Sequence, residues 1–314
     1  MNYKKIILTA LLPLSFSAVS LAQEVSAQVG MPFLSINPDA VSNAMGGTFQ
    51  GGAYSHFGAP AQAALIEGKF AAAVSYGYFQ PTVTKSHNVS ASAVYKINSR
   101  FSVTAGFLEN IGKRYEVTSD SGYEMGTWLP SEMRIGGGFC WRILDGLSAG
   151  ITANFAQSSL FPRIDGVKTV RRTIFADIQV RYAPLSWLGV SVAATNLGVP
   201  VKSASGKHYL LPMQARVSVD GGKDFDRHSV RASLDAGAYF KPAAFNAGLG
   251  VEYAYDKHYF VRAGGHYCGK GVGIPSFFSL GVGVKFVGLS FDAAWNYASG
   301  PMKHNFAVGV GYSF

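Results

Sequence analysis

The sequence has little charge and no long apolar run beyond its first residues. Only 14% of its 314 residues are charged, although 48% are hydrophobic. After position 21, no apolar stretch approaches the about 20 residues that a helix needs to cross a bilayer. Backbone groups in lipid must pair within helices or closed barrels, so a helical membrane protein is excluded.

Motifs that carry chemistry are also absent. No serine, histidine and carboxylate on neighbouring predicted strands form a triad arrangement, and the seven histidines show no metal-ligand spacing. We therefore predict that the protein is not an enzyme and uses no cofactor or metal. The histidines are expected to be solvated or rim residues. No nucleic-acid motif is present, and nucleic acid is not expected as a partner.

Cysteine is nearly absent, with Cys140 and Cys268 as the two examples. They fall on predicted strands that stand seven apart in a barrel of fourteen, and so on opposite walls. A disulfide needs Cα atoms within about 7 Å, so we expect both thiols to stay free.

The N-terminus is typical of a secretory signal. Lys4 and Lys5 precede an uncharged apolar stretch over residues 6–21, and Ser20 and Ala22 are small residues at a cleavage site. We predict a signal peptide over residues 1–22, removed after Ala22. No cysteine follows that site, which argues against a lipoprotein anchor.

The C-terminus resembles the signal by which the barrel assembly machinery recognises outer-membrane barrels. The last residue is the aromatic Phe314, apolar residues alternate back from it through Tyr312, and Gly309 lies five places before the end. The assembly machinery is therefore a predicted partner, with Gly309, Tyr312 and Phe314 as the assembly signal.

From Phe70 onward, hydrophobic residues recur with a period of two, which indicates β-strands. Fourteen such stripes carry large aliphatic and aromatic residues on one face and small polar residues on the other. One face suits lipid and the other a polar lumen. The predicted fold is all-β: a transmembrane antiparallel barrel of about 14 strands over residues 69–314. We expect it in the outer membrane of a Gram-negative bacterium, crossing many times and contacting outer-membrane lipid.

The predicted connections alternate between long and short. Bacterial barrels have long outer loops and short periplasmic turns, which assigns 111–132, 158–172 and 196–211 to the outside. The inner connections are short except for 221–227. Residues 23–68 are too few for a core of their own, so we predict that they form a hatch that plugs the barrel.

Basic residues outnumber acidic ones. The formal charge is +9, and removing Lys4 and Lys5 leaves 25 basic against 18 acidic residues, or +7. This suggests anionic partners: lipopolysaccharide, carboxylate ligands or acidic segments of other proteins. Some basic residues fall on inward phases, where they either pair with carboxylates of the wall and the hatch, such as Asp39, or form a path for an anionic ligand. They include Arg134, Arg142, Arg181, Arg216 and Arg262.

Two outer connections carry candidate contact residues. The connection over residues 158–172 contains Arg163, Lys168, Arg171 and Arg172 against a single acid. It either touches lipopolysaccharide phosphates or docks an acidic partner segment or ligand carboxylate. The second, 111–132, contains Tyr123 and Trp128. Aromatic residues in such loops anchor protein interfaces, and they also line apolar pockets.

Residues 32–48 read Pro-Phe-Leu-Ser-Ile-Asn-Pro-Asp-Ala-Val-Ser-Asn-Ala-Met-Gly-Gly-Thr. This segment resembles the N-terminal signature of the PorV/PorQ family: an apolar pair, then Pro-Asp-Ala-Arg, then Met-Gly. Val41 and Ser42 stand where an arginine is usual, and Ala59 replaces the asparagine of a later Asn-Pro-Ala. The family is itself similar to the FadL long-chain fatty-acid transporters, which have fourteen strands and an N-terminal hatch.

The resemblance implies a role in the type IX secretion machinery of Bacteroidetes. Such a barrel would bind the C-terminal domains of secreted cargo, or hold a surface protein. The alternative is a FadL-like transporter of hydrophobic or carboxylated small molecules, and a purely structural barrel is the third possibility.

Overall fold

The structure is a computed structural model. It describes residues 29–49, 51–66, 68–79, 85–119, 121–160, 169–202, 206–269, 274–298 and 303–314. The predicted signal peptide lies outside the described residues, and so do Arg163 and Lys168.

The alternating sequence folds into β-strands. In chain order these are β1 (Phe70–Phe79), β2 (Ser86–Lys96), β3 (Phe101–Ile111), β4 (Tyr115–Thr118), β5 (Glu124–Trp128), β6 (Ser131–Leu144), β7 (Leu147–Ser159), β8 (Arg171–Leu185), β9 (Leu188–Gly198), β10 (Val201–Lys202), β11 (His208–Tyr209), β12 (Gln214–Phe225), β13 (His228–Tyr239), β14 (Ala244–Tyr255), β15 (Tyr259–Cys268), β16 (Phe277–Phe286), β17 (Leu289–Ala298) and β18 (Asn305–Ser313).

Fourteen of these strands form one closed antiparallel barrel, as predicted. Each barrel strand pairs with its neighbours along the chain, and β18 closes the barrel on β1 with Val310 opposite Val74. The remaining four strands form two small hairpins, β4–β5 and β10–β11, which lie in connections that we predicted as plain outer loops.

The predicted inner connection over 221–227 is wrong in its extent. Strand β12 continues to Phe225, which pairs with His228, and only Asp226 and Arg227 turn the chain. Asp226 has a φ of 56°, a left-handed conformation that aspartate tolerates better than most residues. Gly221 and Gly222 do not end the strand, because glycine still pairs through its backbone N–H and C=O groups.

The wall has one apolar and one polar face. Val74, Ile174 and Val282 point outward and are 57%, 64% and 57% exposed, whereas inward residues such as Thr152 and Gln179 are fully buried. The outward face therefore presents a band suited to lipid hydrocarbon. None of the helices in the described residues is long and apolar enough to cross a membrane.

The N-terminal segment lies inside this wall. It contains one short helix, α1 (Ala40–Ala44), and 3₁₀ turns at Pro32–Ser35, Gly52–His56 and Pro60–Leu65. Helix α1 packs against β16, β17 and β18, and the last 3₁₀ turn packs against β6, β7 and β8. The described part of this segment, residues 29–66, is the hatch.

Small residues allow the hatch to approach the wall closely. Ala40 and Ala44 of α1 pack against Ala294 and Ala307 of the wall. Gly46 adopts a φ of +66°, and its backbone lies against Gly264 so tightly that a Cβ on Gly264 would overlap the Gly46 nitrogen. Only glycine combines this backbone conformation with so close an approach.

Candidate functional site in the plugged lumen

Arg134 on β6 connects the wall to the hatch in the outer half of the lumen. Its Nη2 lies 3.0 Å from Oδ2 of Asp177, and both side chains are almost fully buried. Its guanidinium carbon lies 4.8 Å from the ring centroid of Phe57 in the hatch and 5.0 Å from that of Phe175 in the wall. The charge is therefore neutralised by the carboxylate and enclosed by two aromatic rings.

His56 of the hatch is fully buried, so its prediction as a solvated or rim residue is wrong. Its Nδ1 lies 2.9 Å from Oγ1 of Thr104, and its Nε2 lies 3.0 Å from Oδ1 of Asn154. Burial lowers the pKa of His56 to about 4, with the nearby Arg134 charge acting in the same direction. The ring is neutral at neutral pH, so Nε2–H donates to Asn154 and Nδ1 accepts from the Thr104 hydroxyl.

A second connection of the same kind is built on Arg216 of β12. Its Nη2 lies 2.6 Å from Oδ2 of Asp235 and donates to the carbonyl of Gly47 at 3.1 Å. The backbone N–H of Phe49 donates to Asp235 at 2.8 Å, and the Phe49 ring lies 3.9 Å below the Arg216 guanidinium carbon. One arginine and one aspartate of the wall thus hold the hatch backbone and a hatch ring together.

The remaining lumenal arginines are occupied as well. Arg262 contacts Glu252 and Asp292, each at 2.6 Å, and Arg181 forms an ion pair with Asp220. Arg142 donates to the carbonyl of Ala64 in the hatch at 2.6 Å. Four of the five predicted lumenal arginines are thus paired with wall carboxylates, so these four charges are neutralised.

Asp39 does not take part in this pairing, so our prediction of a hatch carboxylate facing an arginine is wrong here. Its Oδ1 accepts from the backbone N–H of Ser42 at 2.8 Å. Asp39 is the N-cap of α1, a position that aspartate favours because its side chain satisfies an unpaired N–H.

An apolar cluster of mostly large side chains lies in the outer half of the lumen. The hatch and the wall contribute to it jointly, and all its members are at least nine-tenths buried. They are Met31, Phe33, Leu34, Leu108, Ala156, Phe175, Val201 and Leu211, with Ile36, Phe57 and Met213 packed at its margin. The hatch and the wall thus meet in a packed apolar core of the residue types that line sites for apolar molecules.

The predicted outer contact residues are spread over two elements. Arg171 and Arg172 begin β8, and Nε of Arg172 donates to Oε1 of Gln157 at 2.9 Å. Tyr123 is 76% exposed beside β5, and Trp128 ends that strand. Because Arg163 and Lys168 lie outside the described residues, a joint basic docking surface remains a prediction.

The predicted assembly signal lies on the strand that closes the barrel. The carbonyl of Phe314 accepts from the backbone N–H groups of Lys69 and Phe70, at 2.6 and 3.0 Å. The Phe314 ring lies 5.5 Å from that of Phe70. Gly309 faces inward opposite Ser75, and Tyr312 faces outward. Recognition by the assembly machinery remains a prediction.

Cys140 and Cys268 lie on β6 and β15, which are the fourth and eleventh strands of the barrel, as predicted. Both thiols are free. Cys140 is buried, and its Sγ donates to the carbonyl of Ala61 in the hatch at 3.4 Å. Within the described ranges, no group of three or more His, Cys, Asp or Glu residues is placed to hold a metal ion.

No protein-family model matches the chain, and no curated protein matches it in sequence. Solved structures do match in fold. The CymD monoaromatic hydrocarbon channel is 12% identical with a TM-score of 0.61, covering 89% of this chain and 98% of that one. The toluene transporter TodX of Pseudomonas putida is 13% identical with a TM-score of 0.57, covering 92% and 98%. A FadL homologue of Pseudomonas aeruginosa is 14% identical with a TM-score of 0.52, covering 88% and 98%.

At these identities the likeness shows the fold. The chain is a multi-pass outer-membrane β-barrel with the fourteen-stranded architecture of FadL-like proteins. These comparisons do not show a similarity to the PorV/PorQ family, which remains a prediction.

Proposed function

We propose that this protein is an outer-membrane channel for small apolar molecules, with the hatch controlling their passage. The observation that carries the proposal is the apolar cluster in the outer half of the lumen, since three of its members, Met31, Phe33 and Leu34, belong to the hatch. A movement of the hatch would separate its residues from those of the wall and expose this apolar cluster to a passing molecule. The fold shared with a toluene transporter and a hydrocarbon channel supports the same function.

The structure favours neutral apolar molecules over carboxylated ones. A ligand carboxylate would need a cation near the apolar cluster, and Arg134, whose guanidinium lies over Phe57 and Phe175 of the cluster, is paired with Asp177. Taking Asp177 from Arg134 would leave a buried charge without its partner, which is costly. We therefore place carboxylated ligands behind neutral ones in the proposed substrate range.

A bulge in the wall lies beside the cluster and offers a sideways exit. Between β8 and β9, Asp177 stands opposite two residues, Thr195 and Asn196. The Asp177 side chain, in place of a backbone carbonyl, accepts from the N–H of Asn196 at 2.7 Å. The other register shifts in the described wall lie near the inner turns. Bulges disrupt the backbone ladder locally, so the ladder between β8 and β9 is interrupted beside the apolar cluster.

Uptake of labelled toluene by cells that express the protein tests this function. Leu211 is fully buried in the cluster, whereas Leu65 is 48% exposed on a hatch turn outside it. We expect Leu211→Asn to reduce uptake severalfold, because it places a polar amide in the apolar cluster. Leu65→Asn should leave uptake unchanged. Wild-type uptake no greater than that of cells without the protein would sink the proposal.

Partner binding is a second candidate function, favoured by the β4–β5 hairpin. This hairpin stands outside the barrel with Tyr123 and Met125 76% and 62% exposed. Aromatic residues and methionine are enriched in protein interfaces, and the PorV/PorQ resemblance supports a secreted or surface partner. In a pull-down from native outer membranes, Tyr123→Ser with Met125→Ser should lose such a partner while toluene uptake stays unchanged. Recovery of the same proteins by both baits would exclude the hairpin.

A further inference from the structure

We propose that Glu132 is the counter-ion for an ammonium group, so that the channel selects apolar molecules that carry an amine. The inference rests on the proposed function and names a substrate class for it. It starts from a charge without an ionic partner at the outer margin of the apolar cluster.

Glu132 lies on β6 with its side chain turned into the lumen. The residue is 4% exposed. One carboxylate oxygen accepts from the Ser158 hydroxyl at 2.8 Å, and the other accepts from Nδ2 of Asn110 at 3.3 Å. Among the described residues it forms no ion pair, in contrast to Asp177, Asp235 and Glu252. A buried carboxylate is costly unless a cation or several donors compensate it.

The row of residues around Glu132 contains buried acceptor atoms that receive no hydrogen bond. Asn88, Asn110, Glu132 and Ser158 stand directly opposite one another on β2, β3, β6 and β7. The Oδ1 atoms of Asn88 and Asn110 are buried without a hydrogen-bond partner, and Asn88 is 5% exposed. Orphaned acceptors of this kind indicate a missing donor group.

The nearest cation in the same row does not fill this role. Arg171 on β8 stands opposite Ser158, one strand beyond Glu132's own neighbour. Arg171 is half-buried, and no ion pair joins it to Glu132 in the described part of the chain. An ammonium group has three N–H donors and no acceptor, so it complements Glu132 and an adjacent amide oxygen together.

The apolar cluster begins one inward position deeper on the two flanking strands, β3 and β7, and Arg134, paired with Asp177, lies between them on β6. Leu108 is two residues from Asn110 on β3, and Ala156 is two residues from Ser158 on β7. A ligand with its ammonium at Glu132 would therefore place its hydrocarbon against Leu108 and Ala156. The longer hydrogen bond, from Asn110, is the one that an entering N–H would replace.

Three probes of matched carbon skeleton test the inference: n-octylammonium, 1-octanol and octanoate. Their binding to the full-length folded protein in a non-ionic detergent is measured by calorimetry. Wild type should bind octylammonium about tenfold more tightly than octanol, the gain expected from one charge-assisted hydrogen bond. Octanoate should bind most weakly. Glu132→Gln should bind octanol normally and lose the preference for octylammonium.

A matched control lies on the neighbouring strand. Glu109 precedes Asn110 on β3 and so lies at the same height on the outward face of the wall, opposite Met133. Glu109→Gln removes the same charge from outside the lumen and should keep the preference. Retarded migration on unheated gels shows that each variant has folded.

Five outcomes decide the matter. Retention of the octylammonium preference in Glu132→Gln, or a wild-type preference for octanoate, overturns the inference. Calcium binding that requires Glu132 and displaces octylammonium also overturns it, in favour of a metal ion. If octanol binds but octylammonium gains nothing, this inference fails and the proposed channel stands. If neither octanol nor octylammonium binds wild type, the proposed function itself fails.

Discussion

The guanidinium carbon of Arg216 lies 3.9 Å from the ring centroid of Phe49, and this contact joins the barrel wall to the hatch. Arg134 and Phe57 stand in the same relation at 4.8 Å. In each case the arginine is also paired with an aspartate of the wall. The hatch is therefore fastened at two points by rings placed over neutralised charges, each contact being worth about 0.5–2 kcal/mol.

Replacing both rings should loosen the hatch. Phe49→Leu with Phe57→Leu keeps apolar side chains and removes the ring faces. In a Cys268→Ser background, Cys140 is the remaining thiol, and it is buried under the hatch carbonyl of Ala61. We expect alkylation of Cys140 to become about tenfold faster, because a loss near 1.4 kcal/mol is a factor of ten. An unchanged rate would show that the rings contribute nothing to docking.

Substitution at Gly264 should hold the hatch away from the wall. A Cβ at Gly264 would overlap backbone atoms of Gly46 and Met45, whereas the nearest atom to a Cβ at Gly265 is 4.0 Å away. Valine suits a strand at either position, so Gly264→Val and Gly265→Val are a matched pair. In planar bilayers, Gly264→Val should raise ion conductance and Gly265→Val should not. Equal conductance of the two variants would contradict the close packing of hatch and wall.

Acid should release the hatch through His56. Burial lowers the pKa of His56 to about 4 from its ordinary 6.5, so the folded hatch favours the neutral ring. This contribution to docking is complete above about pH 6.5 and is lost as the pH falls towards about 4. Protonation there would place a second positive charge beside Arg134, only partly offset by Asp177. Planar-bilayer conductance should rise over that interval.

The control for this pH dependence is His56→Gln. Glutamine can donate to Asn154 and accept from Thr104 as the neutral imidazole does, and it does not titrate. Its conductance should be independent of pH over the same interval. A pH-dependent rise that persists in His56→Gln would assign the effect to another group.

Loss of the terminal ring should impair closure of the barrel. The Phe314 carbonyl caps the start of β1, and its ring packs beside Phe70. Phe314→Ala keeps the backbone contacts and removes the ring that the assembly machinery is predicted to read. We expect less heat-modifiable protein in the outer membrane, measured on unheated gels. Phe306→Ala, at the other end of β18, should assemble more nearly like wild type, and equal yields of the two would argue against a terminal signal.

The wall could be predicted from the sequence because its burial has a fixed period. Each barrel strand alternates between lipid and lumen, so the pattern identifies both the strand and the inward phase of residues such as Arg134. The pattern does not identify partners. Arg134 pairs with Asp177 across an intervening strand, and that choice depends on strand stagger, which a period of two does not encode.

The hatch was harder to predict because its burial has no period. Its short turns place His56 and Phe49 against the wall at positions set by the shape of the lumen. The sequence around these two residues contains no pattern that predicts either contact. The outer hairpins were missed for a related reason. Strands β4 and β5 are only four and five residues long, and they are exposed on both faces, so they show little alternation between apolar and polar residues.

The lumenal ion pairs also bear on how the strands are aligned when the barrel forms. Sliding a strand by one residue turns its apolar face inward and is strongly disfavoured, but sliding it by two restores the alternation and costs little in the hydrophobic pattern. Arg262 on β15 pairs with Glu252 on the adjacent strand β14 and with Asp292 on β17, two strands away on the other side. A two-residue slip would pull at least one of these charges from its partner inside a closed, poorly hydrated space. The ion pairs thus favour the native strand register over registers shifted by two residues, which the hydrophobic pattern alone would barely distinguish.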